Sequence, residues 1–279
     1  MGQHEESLSL WDALVDESPQ ESQSLLGRVQ AYIAAGKPTD AEKDAVALLQ
    51  LAPGDAVYQY YAQVARGETP AQQPVELMRP LFDGMAEFYD MHMVRSLKYQ
   101  LPKQVADKIL ARHPDKKINV LDLGCGTGLL GVCLGRLDGA LIGVDLSMKM
   151  VEQAARHNVY DRFHTVNLHD ALRETPDGLY QVIAALDVFS YAGDLTKAIP
   201  NAFRVLTTNG VLIFSCETAP EAGPDLVLLP VGRYAHKLSH IQSICKAAGF
   251  DAVEVEETVL HHENLFPVQG FVVTAHKPV

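Results

Sequence analysis

The chain of 279 residues has little to tie it together covalently: Cys125, Cys133, Cys216 and Cys245 are widely spaced and form no C-x-x-C pair. That spacing excludes a disulfide framework and a cysteine-based zinc site, and reads as reduced core thiols of a cytoplasmic protein. Long apolar runs are missing as well, none approaching the roughly 18 residues of a membrane helix. Positive charge is scarce. With 23 Lys and Arg against 35 Asp and Glu the formal charge is -12, which offers no electrostatic footprint for a nucleic-acid backbone or an anionic membrane. The first residues, among them His4, Glu5 and Glu6, lack the basic head and apolar stretch of a secretory signal.

What the chain does have is apolar content and a concentration of glycine at one place. Hydrophobic residues at 47% suffice for a packed core, and the length accommodates one sizeable α/β domain with a smaller module. The run Ile118 to Leu123 leads into Gly124-Cys125-Gly126-Thr127-Gly128, followed by a helix-compatible segment from Leu129 to Arg136. Strand, tight turn and helix in that order open a nucleotide-binding α/β unit, with glycines where backbone amides approach a ligand. Gly126, Gly128 and Gly131 fit the G-x-G-x-x-G pattern of dinucleotide sites. Asp122 argues against that ligand, because a carboxylate at the strand end would repel a pyrophosphate. S-adenosylmethionine has no phosphate and carries an ammonium and a sulfonium, which an acid at that position attracts.

Val120 to Gly128 resembles the first motif, hydrophobic-Leu-Asp-hydrophobic-Gly-x-Gly-x-Gly, of class I S-adenosylmethionine-dependent methyltransferases, and the resemblance extends from about Phe82 to His276. It implies a Rossmann-like, doubly wound, seven-stranded mixed α/β sheet with the last strand antiparallel. It also implies S-adenosylmethionine as cofactor, bound by Asp122, Gly124, Cys125, Gly126 and Gly128. Asp145, about 20 residues beyond the turn and at the end of the second strand, stands where a ribose diol is held. Leu146 and Met148 would contact the adenine face. Asn167-Leu168-His169-Asp170 resembles the family stretch in which an acid accepts from the adenine amino group, assigning Leu168, His169 and Asp170 to the cofactor. The fourth strand, Tyr180 to Leu186, runs into Asp187, which should face the glycine turn across the crevice at the topological switch point.

Leu81 to Asp90 reads as F-D-x-x-A-x-x-Y-D and resembles the pre-core segment of small-molecule methyltransferases, which implies Tyr89 and Tyr99 near the cofactor or acceptor. Gln100 departs from the arginine that commonly follows the second tyrosine there. For the acceptor side the candidates are Tyr89, His92 and His236, since histidine titrates near neutrality and can take an acceptor proton. Glu217 to Gly232 reads as a long loop and Arg233 to His236 as the opening of a helix. His261-His262 reads as a solvated connector rather than a metal site, for want of a third ligand at a suitable spacing.

Residues 1 to about 70 are expected to be all-helical, with helices over Glu21–Ile33, Thr39–Leu51 and Asp55–Ala65 separated by Gly36-Lys37-Pro38 and Pro53-Gly54. Helix, turn, helix with small residues at the crossings resembles one tetratricopeptide repeat and part of a second. This module is expected to be a helical cap on the catalytic domain or to make a homodimer or other protein contact, and 76–279 to form the methyltransferase domain. A small-molecule acceptor leads among substrates. The rivals are an NAD(P)-dependent oxidoreductase, a protein-binding scaffold with a non-catalytic domain, and methylation of a protein side chain.

Overall fold

The computed structural model describes residues 2–263 and 265–279, without the side chains of residues 2–5. Asn264, in the expected connector, and the side chains of His4 and Glu5 lie outside that description. The chain divides into two compact units, 1–77 with 228–233, and 78–227 with 234–279.

The first unit is helical: α1 (Gly2–Glu17), α2 (Ser22–Ala34), α3 (Glu42–Leu51) and α4 (Ala56–Ala65), with a 3-10 turn at Pro38–Ala41. Helix α4 starts where it does because Asp55 accepts from the amides of Val57 and Tyr58, two donors that a helix start otherwise leaves without partners. Leu25, Val29, Ala45, Leu48 and Ala62 form its core. The small residues let the helices approach closely, and Gly27 leaves room for the Trp11 ring, which would lie 2.5 Å from a β-carbon there. Segment Leu228–Arg233 groups with this unit, and Gln73 donates to the Gly232 carbonyl.

Helix α5 (Val75–Met85), a π-helical turn (Met91–Ser96) and α6 (Leu101–Arg112) lead into the sheet. Strands and helices then alternate: β1 (Val120–Leu123), α7 (Leu129–Leu134), β2 (Leu141–Asp145), α8 (Met148–Arg156), β3 (Arg162–Thr165), α9 (Leu168–Glu174), β4 (Tyr180–Ala185), α10 (Phe189–Ala192), α11 (Ala198–Val205) and β5 (Leu206–Ala219). After these come β6 (Leu226–Leu228), β7 (Tyr234–Lys237), α12 (Leu238–Ala248), β8 (Ala252–Glu263) and β9 (Phe266–His276). Strands β3, β2, β1, β4 and β5 pair in parallel in that order. Strand β9 runs antiparallel to both β5 and β8, and with β7 and β6 beyond the other edge of β5 the mixed sheet has nine strands where seven were expected. Alternation along the central strands sends Leu121, Ile183, Leu212 and Phe214 into one apolar cluster and Val120, Val182, Val211 and Ile213 into another. Helices cover both faces, as buried parallel strands require.

The late segments differ from the sequence reading. Residues 206–219 are one strand passing through Asn209 at φ 58. Arg233 to His236 does not open a helix: Tyr234, Ala235 and His236 are buried in β7, and α12 begins only at Leu238. Glu217 pairs with Gly270 on one side and Ala235 on the other, so β7 takes the edge of β5 that β4 vacates after Ala185. Apolar contacts on both faces outweigh the short segment's helical spacing. His261 and His262 are not in a solvated connector but in β8, with His261 buried.

Candidate cofactor site

All four residues of β1 are buried, which carries Asp122 into the protein at 2% exposure. The chain leaves the strand through Gly124, Gly126 and Gly128 at φ 69, 52 and 88, values open to glycine without steric penalty. At Gly124 a β-carbon would also lie 2.5 Å from Val188, whereas at Gly126 it would meet only Tyr89, at 3.9 Å. The turn is thus closed beneath Gly124 and open above Gly126. The Gly126 amide donates to Asp145 Oδ2 and the Ser147 amide to Oδ1, both at 2.8 Å. These bonds place the Asp145 carboxylate beside the turn. Burial raises its pKa, and the amides of Ser147, Gly126 and Leu146 oppose that rise.

Two acids of the pre-core phrase fasten it to the loops after β1 and β2. Asp83 accepts from Ser147 Oγ at 2.5 Å, and Asp90 accepts from the buried Thr127 hydroxyl. The clasp sets Tyr89 against Gly126. Tyr99 is buried, and a small cavity lined by Tyr89, Tyr99, Asp122, Gly126, Thr127 and other residues opens between the pre-core segment and the turn. Burial pushes both tyrosine hydroxyls well above their usual pKa, and the Asp187 charge adds to the rise in each. Asp187 is held at φ 57 at the end of β4, its amide donating to Ser215 Oγ at 2.8 Å. A non-glycine residue in the left-handed region at a strand end is strain of the kind that collects at functional sites.

The structure therefore brings together Asp122, Gly124, Cys125, Gly126, Gly128, Asp145, Tyr89, Tyr99 and Asp187. Cys125 is buried, with burial raising its thiol pKa. Leu146 and the exposed Met148 follow Asp145 at the start of α8. After β3 the helix-capping position belongs to Asn167, whose Oδ1 accepts from the His169 amide at 2.8 Å. Asp170 lies one turn into α9 and pairs with Arg173 at 2.7 Å; Leu168 packs against the core and His169 is half-buried.

The histidine candidates are not brought into the cavity lining. His92 is exposed in the π-helical turn. His236 is 2% exposed, and its Nε2 lies 2.8 Å from the Gly193 carbonyl, so that nitrogen carries the proton and Nδ1 is bare. Burial lowers its pKa to about 4, the Gly193 bond opposing. The sequence reading missed Thr127 and Tyr160, and gave no role to Asp83, Asp90 or Asn167. Asp83 and Asp90 were legible as the acids of the pre-core phrase, while the only trace of Tyr160 was a third glycine, Gly131, whose absent side chain makes room for it.

A mixed sheet of this strand order, with a glycine turn after its first strand and acids ending its first two, defines a Rossmann-like methyltransferase fold. A family model described as a methyltransferase domain matches residues 114–256, just over half of the chain, and the chain belongs to that family. Among solved structures it is similar to magnesium protoporphyrin IX methyltransferase from Synechocystis PCC 6803 with bound SAH. The identity is 19% and the TM-score 0.57, over 73% of this chain and 99% of that one. It is 26% identical over 145 residues to the mitochondrial ubiquinone biosynthesis O-methyltransferase of Bos taurus, covering 48% of this chain and 39% of that protein. A malonyl-[acyl-carrier protein] O-methyltransferase of Halalkalibacterium halodurans is 33% identical over 154 residues, covering 52% of this chain and 54% of that protein. The chain thus matches only about two-fifths to one half of these curated relatives' length.

Proposed function

We propose that this protein transfers a methyl group from S-adenosylmethionine to a small-molecule acceptor. One observation carries the cofactor reading: Asp122 and Asp145 flank the glycine turn, and no basic side chain is among the described residues lining the adjoining cavity. A pyrophosphate has no counter-charge there, whereas a ligand with an ammonium and a sulfonium does. The open space at Gly126 is the cradle such a ligand needs. When bound, the cofactor supplies an electrophilic methyl group. The residues bind and orient: Asp145 accepts from the ribose hydroxyls, and Leu146 and Met148 cover the adenine. The stretch from Asn167 to Asp170 meets the purine edge, and Asp122 and Tyr99 hold the amino-acid end. Much of the rate of such a displacement comes from alignment of the reacting atoms.

On the acceptor side Tyr89 and Asp187 converge on the turn and rank ahead of the histidines. His236, neutral and bonded to the Gly193 carbonyl, holds the loop after β4 in this reading, and His92 is available from the exposed face of the pre-core turn. The small-molecule acceptor is favoured by the enclosure that the pre-core segment provides and by the O-methyltransferases to which the chain is similar. The helical unit is a tetratricopeptide-like contact module for a second copy of the chain, supported by Leu10 and Leu14, which stand 65% and 44% exposed on α1. The chain's four free cysteines fit a cytoplasmic setting. Titration calorimetry with S-adenosylmethionine, S-adenosylhomocysteine and NAD tests the cofactor. The first two are expected to bind comparably, and binding of NAD alone would end this reading.

A further inference from the structure

Tyr160 lies after α8, in no segment that the cofactor reading uses, yet its hydroxyl reaches the centre of the site. It donates to Asp122 Oδ2 at 2.6 Å and accepts from the Gly131 amide at 3.2 Å. Two glycines seat the ring: a β-carbon at Gly131 would lie 2.3 Å from Tyr160 Cε2, and one at Gly128 3.1 Å from it. Phe163 packs on the ring, with centroids 4.8 Å apart. An aromatic ring needed only for packing would be served as well by phenylalanine, since burying a hydroxyl costs free energy unless it is bonded. Here the bond goes to the buried acid of the cavity.

We propose that Tyr160 is a positioning residue, its hydroxyl keeping the Asp122 carboxylate ionised and turned to receive the cationic amino-acid end of the cofactor. This rests on the cofactor reading above. The titratable groups facing Asp122 are Tyr160, Asp145 on β2, Cys125 in the turn, and Tyr99 and Tyr89 from the pre-core segment. None of them is a cation. Burial holds Asp122 up to about 7, the Tyr160 bond pulling it down and Asp145 pushing it up. The phenol is thus the donor that opposes protonation of Asp122 at neutral pH, and a buried carboxylate losing such a bond moves toward its neutral form. A protonated Asp122 offers no charge to an ammonium.

The test is the pH dependence of S-adenosylhomocysteine binding to the full-length chain between pH 5.5 and 8.5, in wild type, Tyr160→Phe, Asp122→Asn and the double variant. Wild-type affinity should fall below a midpoint near pH 7. In Tyr160→Phe the midpoint should move up by about one unit, which corresponds to roughly fivefold weaker binding at pH 7 and less than twofold at pH 8.5. Asp122→Asn should bind weakly without that midpoint, and adding Tyr160→Phe to it should change nothing further. A midpoint unmoved in Tyr160→Phe, whether affinity drops or not, would reduce Tyr160 to a packing residue. So would a Tyr160→Phe chain that fails to fold alongside an Asp122→Asn chain that retains the wild-type midpoint. A wild-type chain that binds neither S-adenosylhomocysteine nor S-adenosylmethionine would remove the cofactor reading itself, an outcome distinct from either.

Discussion

Asp122 and His236 are both buried and both titrate far from their ordinary values, in ways that oppose each other. The Asp122 carboxyl rises from 3.8 to about 7 because it is buried. Between those values the folded chain holds a proton that the unfolded chain has released, so this group's contribution makes stability fall as pH rises. His236 falls from 6.5 to about 4 because burial disfavours its charged form. Between about 4 and 6.5 the unfolded chain holds the extra proton, so stability from this group is lost as pH falls. Asp122→Asn should remove the first slope and expose the second. Relative to wild type, its stability should rise with pH by up to about 1.4 kcal/mol per unit between pH 4 and 7 and stay higher at pH 8. Urea denaturation across that range measures it, and parallel curves for the two proteins would contradict the assignment. A more stable variant that binds cofactor only weakly is the usual trade at a functional site.

Among the elements, the pairing of α1, α2 and α3 depends on one group. Arg28 meets Asp44 through two bonds, at 2.6 and 2.9 Å, and Asp12 at 3.0 Å, while Asp44 is 3% exposed. Removing one partner of such a pair leaves a buried charge uncompensated and typically costs about 3 to 5 kcal/mol, whereas replacing both with apolar residues can be neutral. Arg28→Ala should therefore shift the unfolding midpoint seen by the fluorescence of Trp11, the chain's one tryptophan, whose ring covers Gly27 of α2. The paired change Arg28→Met with Asp44→Leu should restore most of the loss. A shift in Arg28→Ala worth less than about 1 kcal/mol would place the pair among surface ion pairs, which contribute little. Helices α2 and α3 were legible from apolar spacing and the Gly-Lys-Pro and Pro-Gly breaks, whereas α1 was expected only as part of a helical region without bounds of its own. The ion pair was not, because Arg28 and Asp44 are 16 positions apart in sequence and meet only when α2 and α3 pack.

For the molecule as a whole, the exposed apolar surface makes a prediction. In the proposed contact with a second copy of the chain, Leu10 and Leu14 are the exposed apolar side chains of α1. Sedimentation velocity should show a dimer that Leu10→Glu with Leu14→Glu converts to monomer without changing cofactor affinity. A wild-type monomer at tens of micromolar would rule out the contact. The same scale explains β7. Arg233 to His236, read as the opening of a helix, is too short to decide its own fold, and β5 offers the segment a free edge only because β4 ends at Ala185 and β5 runs on to Ala219.

What the sequence by itself determined is local: the strand, glycine turn and helix around Gly124 to Gly128, the acids closing β1 and β2, the order of strands and helices through β5, and the helical character of the first 65 residues. Each depends on periodicities and backbone preferences that act within a few residues, and those signals survive in a linear reading. Only the tertiary structure decided what Asp122 touches, where the acids of the pre-core phrase attach, and that His236 enters a strand and donates a hydrogen bond from Nε2 to a carbonyl. Those outcomes depend on groups 37 to 64 positions apart meeting in a dehydrated interior, where burial and a single hydrogen bond set the charge state and nothing in the local sequence records the partner.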